Sequence, residues 1–297
     1  MTRTGISARI AAAPISWGVC EVPGWGHQLD AERVLSEMSE LGVVATEFGP
    51  AGFLPSEPGP RADVLGRHGL QAIGGFFPVI LHDSEKDPMN AVTPELDAYE
   101  AAGATVMVLA AETGAAGYDH RHVLDDEGWS LFGRNLDRIV AAAAARGITV
   151  VVHPHVGTMV ESPEDVRRLL DGTTAQVCLD TGHLLIGGSD PQQLVREYAD
   201  RIGHTHLKDV RVDFARRVQD GELTYTEAVK AGMYVPLGKG DVGIREIVLG
   251  LLDAGYEGWF TMEQDTILAG EPLDEGPVAD VRASISYLKS LENEPGP

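Results

Sequence analysis

Cysteine occurs only at Cys20 and Cys178, with no CxxC pair, which removes a disulfide framework and a thiolate zinc site from consideration. Cationic residues are scarce too. The 23 Lys and Arg stand against 45 Asp and Glu, a formal charge of −22, and such a surface repels phosphate backbones and anionic membranes. Nucleic acid is therefore not an expected partner. No apolar run reaches the length of about 18 residues that a spanning helix needs. The apolar stretch near the N-terminus is broken by Pro14, too short for a signal-peptide core. A cytoplasmic protein with no membrane partner is the expectation. No GxGxxG follows the first strand-like segment, and the glycines around Lys239 lack P-loop spacing, so neither nucleotide fingerprint is present.

What the chain does have is 43% hydrophobic residues over 297 positions, enough for a sizeable core. Helix, glycine and short apolar strand recur along it. Gly42, Gly69, Gly103, Gly147, Gly172 and Gly255 sit where a left-handed residue ends a helix. After them come VVATEF, LQAIGGFF, ATVMVLAA, ITVVVH, TTAQVCLD and YEGWFTME, with further strands expected at RIAAAPIS and RIGHTHLK. Thr93-Pro94, Ser162-Pro163 and Asp190-Pro191 read as helix starts, each placing a capping side chain before a first-turn proline. Eight strand-helix repeats with short connections call for an α/β fold, a closed parallel (β/α)8 TIM barrel spanning 1–297 as one domain. Residues 209–240 read as an inserted loop or short helices near the active face. PLGKGDV at 236–242 reads as the turn before a helix capped by Asp241. The Gly- and Pro-containing C-terminus reads as a flexible tail.

Several of these strands end in polar residues, where an apolar ending would be cheaper. Barrel active sites lie at those ends. His153, Asp180 and His206 are 27 and 26 residues apart, one βα unit each, so neighbouring strands present imidazole, carboxylate, imidazole. Glu263 follows after 57 residues, a βα unit plus the insertion, and closes the ring. Two nitrogens and two carboxylates suit Mn2+ first, then Co2+, Zn2+ or Fe2+, with Mg2+ preferring more oxygen. Lys208 lies two residues beyond His206, on the same side by strand alternation; its alternatives are an ammonium beside the substrate or a lysine salt-bridged to Asp209. Glu47 ends the second strand, as a contact to substrate hydroxyls or a structural ion pair. Trp17 reads either as an apolar wall over a sugar ring or as a buried plug at the barrel rim. His204 is expected to support His206 from below, while His27, His68, His82, His120 and His122 are expected in loops or on the surface.

The stretches APISWG at 13–18, HPHVGT at 153–158, LDTGHLLIGGSDP at 179–191, HTHLKDVR at 204–211, PLGKGDV at 236–242 and GYEGWFTMEQD at 255–265 resemble the inosose dehydratase branch of the sugar phosphate isomerase/epimerase superfamily, the xylose isomerase-like TIM barrels. The resemblance spans nearly the whole barrel. It implies that Asp180, His206 and Glu263 are metal ligands and that His183 contacts a substrate hydroxyl or carbonyl. The epimerase-like members carry Glu at the end of the fifth strand, where this chain has His153, as in the HxH of the dehydratase branch. The resemblance thus implies metal-dependent dehydration of a keto-inositol such as scyllo-inosose through an enediolate; for that chemistry the residues themselves offer Glu263 and His155 as the proton-handling pair, either one the base, and Lys208 to stabilise the enolate or protonate the leaving hydroxyl. The alternatives are isomerisation or epimerisation of a keto-inositol or keto-sugar, and β-elimination from a 3-keto glycoside, which would need an apolar pocket at the insertion. A sugar-binding barrel without catalysis and a three-metal DNA-repair barrel are rivals of another kind; the latter needs a basic groove, which the charge opposes. The expected partner is a small polyhydroxylated carbonyl compound. No feature marks a subunit interface, which leaves a homodimer open.

Overall fold

The computed structural model describes residues 5–115 and 122–292. Its strands and helices alternate. β1 (Ile10–Ala12) precedes α1 (Ala31–Glu40), β2 (Ala45–Glu47) precedes α2 (Pro58–Arg67), β3 (Gln71–Val79) precedes α3 (Met89–Ala102), and β4 (Val106–Ala111) precedes α4 (Asp126–Ala144). Then come β5 (Thr149–Val152), α5 (Pro163–Gly172), β6 (Gln176–Asp180), the short α6 (Thr181–Ile186), α7 (Pro191–Tyr198) and β7 (Ile202–Leu207). The insertion forms β8 (Asp209–Val210), α8 (Val212–Gln219), α9 (Tyr225–Lys230) and β9 (Tyr234–Val235); α10 (Ile244–Asp253), β10 (Phe260–Met262) and α11 (Pro277–Leu291) complete the chain. Eight parallel strands close in the order β1-β10-β7-β6-β5-β4-β3-β2, and β8 and β9 form a separate antiparallel ribbon. All eight barrel strands thus fall where the apolar runs place them.

The two-residue side-chain period divides each strand between two cores. Ala11, Ala45, Ile73, Val106, Val108, Val151 and Cys178 fill the barrel interior. Their neighbours, among them Val150, Val152, Leu179 and Phe260, pack outward under the helices. One further step of two along the same inward face brings Glu47 above Ala45, His153 above Val151 and Asp180 above Cys178. The polar strand ends therefore converge because the residues below them are inward-facing core.

Two bulges refine this. The β2–β3 register slips between Thr46 and Glu47, so that Glu47 opposes Gly74. Gly74 has φ +140°, and a Cβ there would stand 1.7 Å from the Val106 carbonyl oxygen, so only glycine fits. The second slip, on β7, sets His204 opposite Cys178 and His206 opposite Asp180.

Gly42, Gly69, Gly103, Gly147 and Gly255 take positive φ as expected; Gly172 does not, because α5 ends through an extended Thr173 whose amide and hydroxyl both bond back to Leu169. Ser162 caps α5 in a capping box with Asp165, and Asp190 caps α7. Thr93-Pro94 is not a helix start: α3 begins at Met89, whose amide bonds Asp87, and Pro94 lies within it. An acidic residue and proline six residues earlier, Asp87-Pro88, take over the role. Asp241 does not cap α10 either. It accepts from Val212 at the start of α8, and Gly243 precedes α10. The tail expectation for 293–297, and His120, lie outside the described residues. Among the described residues, no helix is long and apolar enough to cross a membrane.

Candidate active site at the C-terminal ends of the barrel strands

At the C-terminal rim, His153 follows β5, Asp180 ends β6, His206 lies in β7 and Glu263 follows β10. One donor atom from each falls within 4.8 Å of all the others. His153 Nε2 is 3.1 Å from Asp180 Oδ2, and His206 Nδ1 is 3.6 Å from that oxygen and 2.6 Å from Glu263 Oε2. Neither His206 Nδ1 nor Glu263 Oε2 makes a hydrogen bond of acceptable geometry, although both are buried. Two orphaned acceptors aimed at a common point, completed by an imidazole and a carboxylate, fit a divalent cation. The residues expected as ligands are therefore brought together.

The layer beneath fixes how they face. Glu47 Oε1 lies 2.7 Å from His206 Nε2 and 2.9 Å from His204 Nε2. A carboxylate at Nε2 holds the proton there and leaves the Nδ1 lone pair pointing up to the cluster. Glu47 thus makes the ion pair with histidines while also lying on the cavity lining, and His204 sits below His206 as expected. Burial would raise the Glu47 pKa, but His206 and His204 outweigh it and hold the carboxylate ionised. Burial likewise disfavours the charged form of Asp180, yet Lys208, His183 and the His153 bond hold it well below its usual range. Around His206, Cys178, Glu263 and Glu47 overcome burial and raise its pKa well above normal, so that a cation binding at Nδ1 would take the place of a proton there.

Lys208 is buried, and it is not paired with Asp209. Its Nζ is 2.6 Å from Asp265 Oδ1, 3.5 Å from both Asp180 Oδ2 and Glu263 Oε2, and 3.3 Å from His183 Nε2. Burial would lower its pKa, but the carboxylates of Asp180, Asp265 and Glu263 raise it well above that of a free lysine. Asp209 instead grips the PLGKGDV turn, accepting the amides of Gly238, Gly240 and Val242. His155 stacks on His183 with ring centroids 3.7 Å apart and donates Nδ1–H to the Val156 carbonyl at 2.7 Å. Burial, His153 and Lys208 push the His155 pKa down to about 3, and His183 is likewise held neutral by burial and by His155 and Lys208.

These groups open on a cavity of about 400 Å³ that His153, His155, Lys208, Glu263, Glu47 and Asp265 line from below. Ile15, Val19, Phe48, Leu54, Phe76 and Phe77 supply its apolar wall, with Arg61 and Glu95 beside them. Trp17 is outside this lining. It is fully buried, its Nε1 donating to Glu37 Oε2 of α1 at 2.8 Å, and so it is the rim plug and not the sugar-facing wall. The apolar wall of this cavity comes from the β1–β3 side and not from the insertion.

Sequence reasoning missed Asp265, Tyr225 and Tyr234. Asp265 anchors Lys208, Tyr225 of the insertion donates its hydroxyl to Asp265 Oδ2, and the two tyrosine hydroxyls lie 3.0 Å apart. Asp265 was within reach as the last residue of the GYEGWFTMEQD stretch. Nothing in the insertion's sequence marks the tyrosines.

The profile of the xylose isomerase-like TIM barrel family matches residues 39–291. The chain is 34% identical to the rhizopine catabolism protein MocC of Rhizobium meliloti, over 88% of this chain and 82% of that one. It is 33% identical to an inosose dehydratase of Geobacillus kaustophilus, over 98% and 97%. Among solved structures, the D-psicose 3-epimerase of Clostridium cellulolyticum H10 with D-tagatose superposes with a TM-score of 0.69 at 15% identity, over 96% of this chain and 99% of that one, a likeness of fold. With the closed parallel barrel and the family profile in agreement, the chain belongs to the xylose isomerase-like TIM barrel family, as an enzyme similar in sequence to inosose dehydratases.

Proposed function

We propose that this protein is a metal-dependent lyase that removes water from a keto-inositol such as scyllo-inosose, with Mn2+ as its metal. The observation that carries the reading is the placement of one ammonium, Lys208, 3.5 Å from two carboxylates of the cluster and on the cavity wall. Dehydration needs an acid next to a base, and this pair supplies both.

His153, Asp180, His206 and Glu263 would hold the cation, whose Lewis acidity disperses the negative charge that develops on the substrate carbonyl. Glu263 takes the proton from the carbon alpha to the carbonyl. The electron pair of that C–H bond forms the enediolate, then the carbon-carbon double bond, as the neighbouring C–O bond breaks. Lys208 gives its proton to the departing hydroxyl, which leaves as water; proton transfer of this kind contributes about 10²–10⁴ in rate. His155, neutral because of its depressed pKa, accepts a hydrogen bond from a substrate hydroxyl in place of the acid-base role expected of it. His183, held against Lys208, orients the ammonium. The neutral imidazole of His153 stands where epimerisation by two opposed carboxylates would need a second base, which favours elimination over epimerisation.

The test is to strip the protein with chelator, restore Mn2+ and supply scyllo-inosose, following the mass of the product. Loss of one water that requires Mn2+ and disappears in Glu263→Gln supports the reading. An isomer of unchanged mass moves the protein to the epimerase class. Stoichiometric metal with no turnover overturns the substrate.

A further inference from the structure

The cavity extends past the metal cluster to α2 and α3, where two charged residues without a role in the chemistry line it. Arg61 on α2 stacks its guanidinium 4.5 Å above the Phe48 ring, and its Nε and Nη2 are committed to the carbonyls of Pro55 and Ser56, at 3.0 and 3.4 Å. Those bonds fix the guanidinium plane on the cavity lining and leave Nη1 without a protein acceptor among the described residues. Glu95 on α3 is half-buried. Among the described residues its carboxylate makes no hydrogen bond and no ion pair, not even with Arg61, although the two are near enough to interact electrostatically. A partly desolvated carboxylate beside a fixed cation that it does not pair with is a site prepared for a ligand carrying both donors and acceptors.

The charge of the ligand follows from the lining. Glu21, Glu47, Glu95, Glu263 and Asp265 oppose only Arg61 and Lys208 among the cavity-lining residues. Lys208 is already engaged by Asp265, and Arg61 has two of its three nitrogens occupied. Even a divalent cation leaves the lining negative. A phosphate would meet carboxylates here with one partly committed guanidinium to receive it, whereas a pair of neighbouring hydroxyls can donate to Glu95 and accept from Arg61.

We propose that Glu95 and Arg61 form the substrate subsite remote from the metal, gripping a vicinal diol of a neutral, unphosphorylated polyol. The subsite deepens the dehydratase reading and rests on it for the identity of the reacting end, but binding tests it without turnover.

The experiment is calorimetric titration of the Mn2+-loaded full chain with myo-inositol, scyllo-inosose, D-tagatose and inositol monophosphate, for the wild type, Glu95→Gln and Arg61→Lys, with Mn2+ affinity measured on each. The expected result is binding of at least one neutral polyol, weakened about tenfold in Glu95→Gln, as for the loss of one charge-assisted hydrogen bond, with Mn2+ affinity unchanged. Inositol monophosphate should bind at least tenfold more weakly than myo-inositol. Equal or tighter binding of the monophosphate, unaltered polyol binding in both variants, or no neutral polyol bound at all overturns the subsite. Polyol binding that depends on Glu95 without loss of water from scyllo-inosose would retain the subsite and overturn only the dehydratase reading.

Discussion

One oxygen of Glu47 serves two imidazoles, His206 Nε2 at 2.7 Å and His204 Nε2 at 2.9 Å. It is this bond from below that turns His206 Nδ1 toward Asp180 and Glu263. Removing the carboxylate in Glu47→Ala leaves His206 free to change tautomer and His204 Nε2 with only the Thr261 hydroxyl, 3.3 Å away. Calorimetric titration should show Mn2+ affinity falling about 10–100-fold, the usual cost of losing such an orienting group. Glu47→Gln, which keeps an oxygen acceptor, should lose less. Equal affinity in Glu47→Ala and the wild type would refute the orienting role.

Lys208 provides the opposite signature. Its ammonium stands 3.5 Å from two carboxylates of the proposed metal site, so removing its charge should take nothing from the metal and relieve a repulsion. Lys208→Met should therefore lower kcat by about 10²–10⁴ as the leaving hydroxyl loses its acid, while Mn2+ binds as tightly as before or more so. Weaker metal binding with unchanged kcat would reverse the assignment.

Much of this arrangement is legible in the sequence because a barrel is periodic. The intervals between His153, Asp180 and His206 are set by the length of a βα unit, and their common inward face by the two-residue period of a strand, so the cluster emerges from counting. Glu263 emerges as well once the insertion is subtracted. What fails is whatever depends on contacts outside that period. Trp17 follows β1 in a short 3-10 turn, where alternation no longer says which way a side chain points, and it turns into the core. Asp209 offers the nearest charge to Lys208 in sequence, yet it is held by three turn amides while Asp265, far along the chain, takes the lysine. Arg61 and Glu95 lie on helices, where the sequence shows only polar surface.

The depressed histidines make acid stability testable. In the metal-free protein the His155 pKa stands at about 3 against about 6.5 in an unfolded chain. Between those values the unfolded state binds a proton that the native state refuses. Stability must then fall as pH drops from about 6.5 toward 3, by about 1.4 kcal/mol per pH unit from this one group. His183, also lowered, adds in the same direction. His206, raised, acts oppositely: its contribution is present at low pH and fades as pH rises through its folded pKa. Denaturant unfolding of His155→Gln across this range should give a shallower decline than the wild type; an identical slope would place the acid sensitivity elsewhere.

Tyr225 reaches from α9 of the insertion to Asp265, the carboxylate that holds Lys208. Burial raises the Asp265 pKa, with Lys208 opposing the effect and Glu263 reinforcing it, so the tyrosine hydroxyl is part of what keeps this buried carboxylate satisfied. The capping box of Thr224 and Glu227 fixes the start of α9 just where Tyr225 must enter. In Tyr225→Phe the ring still fills its space, but Asp265 loses a donor and its grip on Lys208 changes. Stability should drop by about 1–3 kcal/mol, the cost of a buried acceptor left short, and kcat should fall with little change in KM, because the ammonium shifts while the cavity wall does not. A variant that instead raised KM at constant kcat would make Tyr225 part of substrate binding, and the insertion a wall of the cavity instead of a brace for its acid.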